Sequence, residues 1–428
     1  MAVAQLKSEI TTARLDAAVL PNGAAWANSV RADAASRVRA MGLPTKRDEY
    51  WKYTNPTELT AVAAPSASLF DAGETPLFEA VDRIKIVFVD GVFDAAASDD
   101  LTCEGLQIER LVDAMAADIH WAKDMYGVLE TRGQTPVARP LAALNTALAT
   151  DGVVIHVTGK TAKPVHLVYL HQNETSDAVL HHLVKVDSGA EMTLLESGPA
   201  AARFSGCLEV DVADGGAFHH VRAQGRDHEC RNVTHCFARI GAESTFKSFT
   251  LTVNGVLTRN ECILEIVGDD AIAHVAGACV GDGNDFHHDD TVFITHDALN
   301  GESRQVFKKV LRNGATGVFQ GKILVKAGAQ KTDGYQISQS LLLDEDAQFL
   351  AKPELEIYAD DVACSHGSTS GAIDETALFY LRSRGVPMHD ARNLLTLSFM
   401  AEALAEIADP VLAEELRDRL EGWLALRS

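Results

Sequence analysis

The sequence predicts a mainly β protein, a β-solenoid core with a helical segment at each end. Three observations predict it. Apolar residues recur at helical spacing over about the first 80 residues and again after about residue 370. Between them, short β-branched runs alternate with polar residues, as in "RIKIVFVDGVF", "GVVIHVTG" and "CLEVDVADGG". Glycine turns recur within that stretch, at Gly189, Gly215, Gly241 and Gly268, with spacings of 26, 26 and 27 residues.

In the first segment Ile10, Leu15 and Val19 fall on one helical face and Trp26, Val30, Val38 and Met41 on another. Gly42, Pro44 and Pro56 punctuate the stretch that follows, "GLPTKRDEYWKYTNPTEL". In the middle, each glycine turn follows one alternating run and precedes the next. A solenoid coil needs short strands joined by corners that only small or left-handed-tolerant residues fit, and a period near 26 suits it. An all-β sandwich with a turn every 8–12 residues, roughly, fits the same spacing. The expectation is a solenoid over about 85–365 with the four glycines stacked along one corner. In the last segment "AIDETALFYLRSRG" reads as a helix ending at Gly385, with arginines in its final turn where they suit the helix dipole. Pro410 opens another helix with Leu412, Leu416, Leu420, Trp423 and Leu424 on one face. These helices are expected to cap the open core while presenting a surface to a partner.

Composition narrows the function. The formal net charge is −22 and no Lys/Arg cluster occurs, which excludes the basic footprint of a nucleic-acid binder. The N-terminus has no apolar core with a small-residue cleavage site, and no window approaches 18 uncharged apolar residues. A cytoplasmic protein without a membrane span is the expectation. Seven cysteines (Cys103, Cys207, Cys230, Cys236, Cys262, Cys279 and Cys364) are scattered and form no CxxC pair. That argues against a disulfide framework or a structural zinc site, and for a reducing compartment.

Sixteen histidines invite a metal site. Adjacent strand residues point to opposite faces, so unless the strand is bulged His181-His182, His219-His220 and His287-His288 cannot each chelate one ion. His219, His235 and His274 would serve only if they shared a face. In "HHDDTVFITHD", His287, Asp289 and His296 are candidate ligands, although a solvated loop before a strand is the preferred reading. No GxSxG elbow, phosphate-binding GxxxxGK[ST] or GxGxxG fingerprint is present.

The remaining constellation is "ACSHGSTSG", residues 363–371. Cys364 and His366, two apart in an extended segment, share a face and can hold a borderline metal such as iron or zinc. Two ligands do not complete a site. The alternative is a packed thiol beside a turn histidine that caps the next helix.

The run "KPELEIYADDVACSHGSTSGAIDETALFYLRSRGV" closely resembles the C-terminal signature of the SufD family, scaffold subunits of the Suf iron–sulfur cluster assembly system. "VFQGKILVKAGAQKTDGYQISQSLLLDEDA" looks like that family's last solenoid turns, and "RDEYWKYTNPTEL" like its N-terminal element. The paralogous SufB chains carry a cysteine where this one has Ser338 and Gln339, and "HEA" where it has "CSHG". The resemblance implies a right-handed parallel β-helix flanked by helical domains, with segments 1–80, 81–368 and 369–428 as N-terminal domain, core and C-terminal domain. It implies a non-catalytic role in a complex with SufB and the ABC-type ATPase SufC, and it leaves open a homodimer of the isolated chain. SufC would dock on the C-terminal helices, with Arg382, Arg384, Leu378 and Leu381 as candidate contacts. Carried over, His366 lies at the SufB interface and serves nascent cluster assembly, with Cys364 beside it. No cofactor is expected on the isolated chain, only transient iron or an iron–sulfur cluster at that interface. Flavin binding by the complex stays open. The competing reading is a stand-alone β-helix enzyme acting on polysaccharide.

Overall fold

The computed structural model describes residues 2–70, 73 and 75–426. Its core is two long sheets wound from one chain. One sheet has ten strands and the other nine, and the chain alternates between them, so neighbours in each sheet are two strands apart in sequence. From Val165 onward every pairing is parallel. A chain that returns to the same sheet after each passage through the other is a parallel solenoid, and a sandwich of antiparallel hairpins is excluded. The period lengthens along the axis: the Arg203 and Asp177 side chains, in adjacent coils, are 26 residues apart, and those of Gln305 and Gln336 are 31 apart.

The four glycines do stand at one corner, in two neighbouring columns. Gly189 and Gly215 occupy one, both with φ of 71°. Register carries that column on through Glu243, Asp270, Asn300 and Lys331, all with positive φ. Gly241 and Gly268 occupy the second, where the coils touch: a Cβ on Gly268 would lie 1.9 Å from the Ala242 nitrogen. Two steric reasons, a left-handed turn and a close approach, thus produced one apparent repeat.

The sheets are buried on both faces, as parallel sheets are. Between them lies an apolar interior containing Leu180, Leu208, Val210, Leu264, Ile294 and Phe319. Outside the nine-stranded sheet pack the helices Ala2–Asp16 and Ala25–Met41. With them packs a helical insertion (residues 111–148) between the strands Leu106–Arg110 and Val153–Val157. The alternating-run reading missed this insertion because "PLAALNTAL" is buried all round and shows no amphipathic stripe. The expected N-terminal helicity stops at Thr60, and residues 64–70 lie without helix. Trp51, from the "WKYT" element, is buried with the Arg259 guanidinium 4.1 Å over its ring. Arg259 itself bonds Glu261 and Asp289, which ties the N-terminal segment to the solenoid flank.

The C-terminal helices Met388–Leu404 and Pro410–Leu426 lie against the outer face of the ten-stranded sheet, on Phe249, Leu251, Val253, Val280, Val306 and Val310. The predicted stripe Leu412, Leu416, Leu420, Trp423 and Leu424 is the buried one. These helices do not cap the solenoid. The sheet's outer face is apolar and longer than the coil's open end, so it captures them, and the last coil stays uncovered. At the first end the sheets finish in the short antiparallel strands Val92–Asp94 and Leu106–Arg110.

Candidate functional site at the open end of the solenoid

"ACSHGSTSG" is the last strand of the ten-stranded sheet, Ala363–Gly371. It pairs on one side only, with Asp333–Leu342, placing Cys364 opposite Gly334, His366 opposite Gln336, Ser368 opposite Ser338 and Ser370 opposite Ser340. Gly334, Gln336, Ser338 and Ser340 are buried, whereas Tyr335 and Ile337 pack toward the C-terminal helices. Cys364, His366, Ser368 and Ser370 therefore continue the inward face. The Ser338 hydroxyl donates to Ser368 at 3.1 Å, and Ser340 to Ser370 at 2.9 Å. No further coil follows, so this inward face meets solvent and His366 is exposed.

Cys364 is half-buried and packs with Ile323, Val325, Ala329 and Ala359. Its sulfur rests on the bare backbone of Gly334, where a Cβ would come within 3.1 Å. Burial pushes the thiol pKa up, the Asp333 charge adds to this, and a backbone bond from Gly334 opposes it. The thiol is therefore protonated at neutral pH and packs as a small apolar group. Across the coil the strand Gln348–Ile357 ends the other sheet, with Phe349 and Leu355 packed inward. It carries Pro353, a residue confined to edge strands because it has no N–H to donate. The edge strand Ala363–Gly371 has no proline, lysine or carboxylate. It presents an unblunted row of main-chain groups.

The other sequence candidates separate. His219 and His274 share a column with Lys247 between them, and His235 lies in the other sheet. "HHDDTVFITH" is a buried strand and not a solvated loop. Asp289 accepts from Thr54 on the outer face, while His296 bonds Ser303 on the inner one. Among the described residues no group of three His, Cys, Asp or Glu side chains could hold a metal ion.

On the helix Glu375–Ser383, Asp374 accepts from the Thr376 and Ala377 amides as the N-cap. Leu378 is buried and Leu381 half-buried. Arg382 is exposed, and the Arg384 guanidinium sits 3.6 Å from the Tyr380 ring. Phe379 and Tyr380 are 74% and 55% exposed. Sequence reasoning missed this aromatic pair, although it lies off the Leu378/Leu381 face and so was bound to point outward.

Comparison with known proteins agrees with the architecture. Residues 169–399 match the family described as "SUF system FeS cluster assembly, SufBD core domain". The iron–sulfur cluster assembly protein SufD of Escherichia coli (strain K12) is 28% identical over 397 residues, with 89% of each chain covered. The SufD protein of Bacillus subtilis (strain 168) is 26% identical over 408 residues, with 90% of each covered. A SufBD family protein of Synechocystis is 28% identical over 421 residues, covering 90% of this chain and 89% of its own. A parallel solenoid with flanking helices, a matching core domain and similarity along nine-tenths of the chain place this protein in the SufBD family of iron–sulfur cluster assembly proteins, on its SufD branch.

Proposed function

We propose that this chain is a non-catalytic, cytoplasmic scaffold subunit that builds iron–sulfur clusters together with SufB and the ATPase SufC. One observation carries the reading. The terminal coil is open, its edge strand is unprotected, and its inward face holds His366 in an incomplete ligand set. An edge of this kind is completed by a strand from another chain. SufB is the partner, and the same edge pairs two copies of this chain when SufB is absent. His366 then stands at the seam between subunits, where its imidazole binds iron. SufB contributes the thiolate that Cys364, protonated and packed, does not. Iron or the nascent cluster passes through this seam as cargo. The exposed Phe379 and Tyr380, with Arg382 and Arg384, form the SufC contact; Leu378 and Leu381 support that helix from beneath.

The test is co-expression with SufB and SufC, measuring complex composition, iron content and cluster-dependent growth. His366→Ala loses cluster assembly while the complex still forms, and Cys364→Ser has a smaller effect. Wild-type cluster assembly by His366→Ala overturns the assignment of His366. Failure of the wild-type chain to co-purify with SufB or SufC overturns the scaffold reading.

A further inference from the structure

A hydrogen-bonded polar seam runs through the solenoid interior. The Tyr169 hydroxyl donates to Glu196 at 3.1 Å, and Glu196 is bonded by His220 at 3.0 Å and Arg222 at 2.8 Å. Arg222 donates to Thr234 at 2.9 Å, which donates to Asn260 at 2.8 Å. The Gln224 amide reaches Asn260 at 3.1 Å and Thr252 at 3.0 Å.

Two residues beyond Thr234 and Asn260, on the same inward face, stand Cys236 and Cys262. They are in-register partners on adjacent parallel strands. Adjacent strands lie about 4.8 Å apart, inside the roughly 4.4–6.8 Å Cα separation that a disulfide spans. Each cysteine is 8% exposed, against 1% for Cys207 and Cys279. Neither residue is sealed as completely as those two.

We propose that Cys236 and Cys262 are a redox-modification site, closed by a small peroxide into a disulfide that staples two neighbouring coils. One sulfur attacks the peroxide, breaking the O–O bond and forming a sulfenic acid with release of water. The second sulfur displaces the sulfenic hydroxyl, which leaves as water with the second thiol proton. Two S–H bonds and one O–O bond are lost, one S–S bond forms, and two electrons pass from the thiols to the peroxide. The neighbouring Cys236 thiol and burial push the Cys262 thiol pKa up, with Arg222 opposing, so closure is slow at neutral pH and quickens as pH rises. The site does not depend on the partner reading above.

The full chain is treated with hydrogen peroxide while folded, quenched, denatured, alkylated and weighed. Wild type should carry label on five of its seven cysteines, with a peptide map joining Cys236 to Cys262. Cys236→Ser and Cys262→Ser should each keep all six remaining cysteines labelled. Seven labelled cysteines in oxidised wild type, or a bridge made by any other pair, overturns the proposal. Because the decisive map is made on wild type, poor folding of either variant leaves the result intact.

Discussion

Glu196 shows what a single interior residue demands. It is buried, yet the Arg222 guanidinium and His220 hold its carboxyl ionised, well below the usual carboxylate range, against the burial that pushes the other way. Removing one member of such a buried set strands a charge, which costs about 3–5 kcal/mol. Arg222→Met should lower the unfolding free energy measured in urea by about that amount, and adding Glu196→Gln should restore part of it. A double variant as unstable as the sum of the two singles would show that the pair is not coupled. None of this set was legible beforehand. The alternation marked Glu196, His220 and Arg222 as strand residues, but which strand lies opposite which depends on coil register, and that is set by corner lengths that vary between turns.

Among the elements, the strand Ala363–Gly371 matters most because it is a sheet edge with no proline, lysine or carboxylate to blunt it. Lysine on a sheet edge discourages further pairing. Thr369→Lys, at an exposed position, should weaken SufB co-purification by roughly tenfold or more, the effect of about 1.4 kcal/mol, with an unchanged thermal melt. Unchanged co-purification would place the partner elsewhere. The helix Glu375–Ser383 is tested by Phe379→Ala with Tyr380→Ala, which should reduce SufC binding and leave the SufB contact alone. Deleting everything after about residue 370 is not an equivalent test, because it would bare Phe249, Leu251, Val253 and Val306 and cause aggregation. At this scale the sequence was informative wherever one face of an element is polar. The Leu412–Leu424 stripe and the alternating strands were read correctly, and the shared face of Cys364 and His366 followed from a spacing of two. The insertion helix of "PLAALNTAL" was not, since burial on all sides erases periodicity.

Across the whole molecule, the buried histidines set the response to acid. Burial holds His182, His235 and His296 down to about 4, and His166 and His288 to about 3, with burial the largest cause in each. In the unfolded chain each titrates near 6.5. Between those values the unfolded state binds protons that the folded state does not, so their contribution is complete above pH 6.5 and is lost as pH falls toward 4 and 3. Glu261, held to about 2 mainly by Arg259 against burial, extends the loss downward from the ordinary carboxylate range near 4.5. The melting temperature should fall steadily below pH 6.5. A flat profile down to pH 5 would mean that these rings are protonated in the fold or released by local opening. The two ends of the solenoid have a further consequence. One finishes in short antiparallel strands and the other in an open coil with a long, unblunted edge, so the two ends are not equivalent. Joining two open ends consumes both long edges and leaves outward only the short antiparallel strands. Head-to-head joining through this edge would therefore close at a pair, whereas a head-to-tail stack would have to grow on the short, blunt end, so the polarity of the coil disfavours growth of this parallel β protein into a fibre.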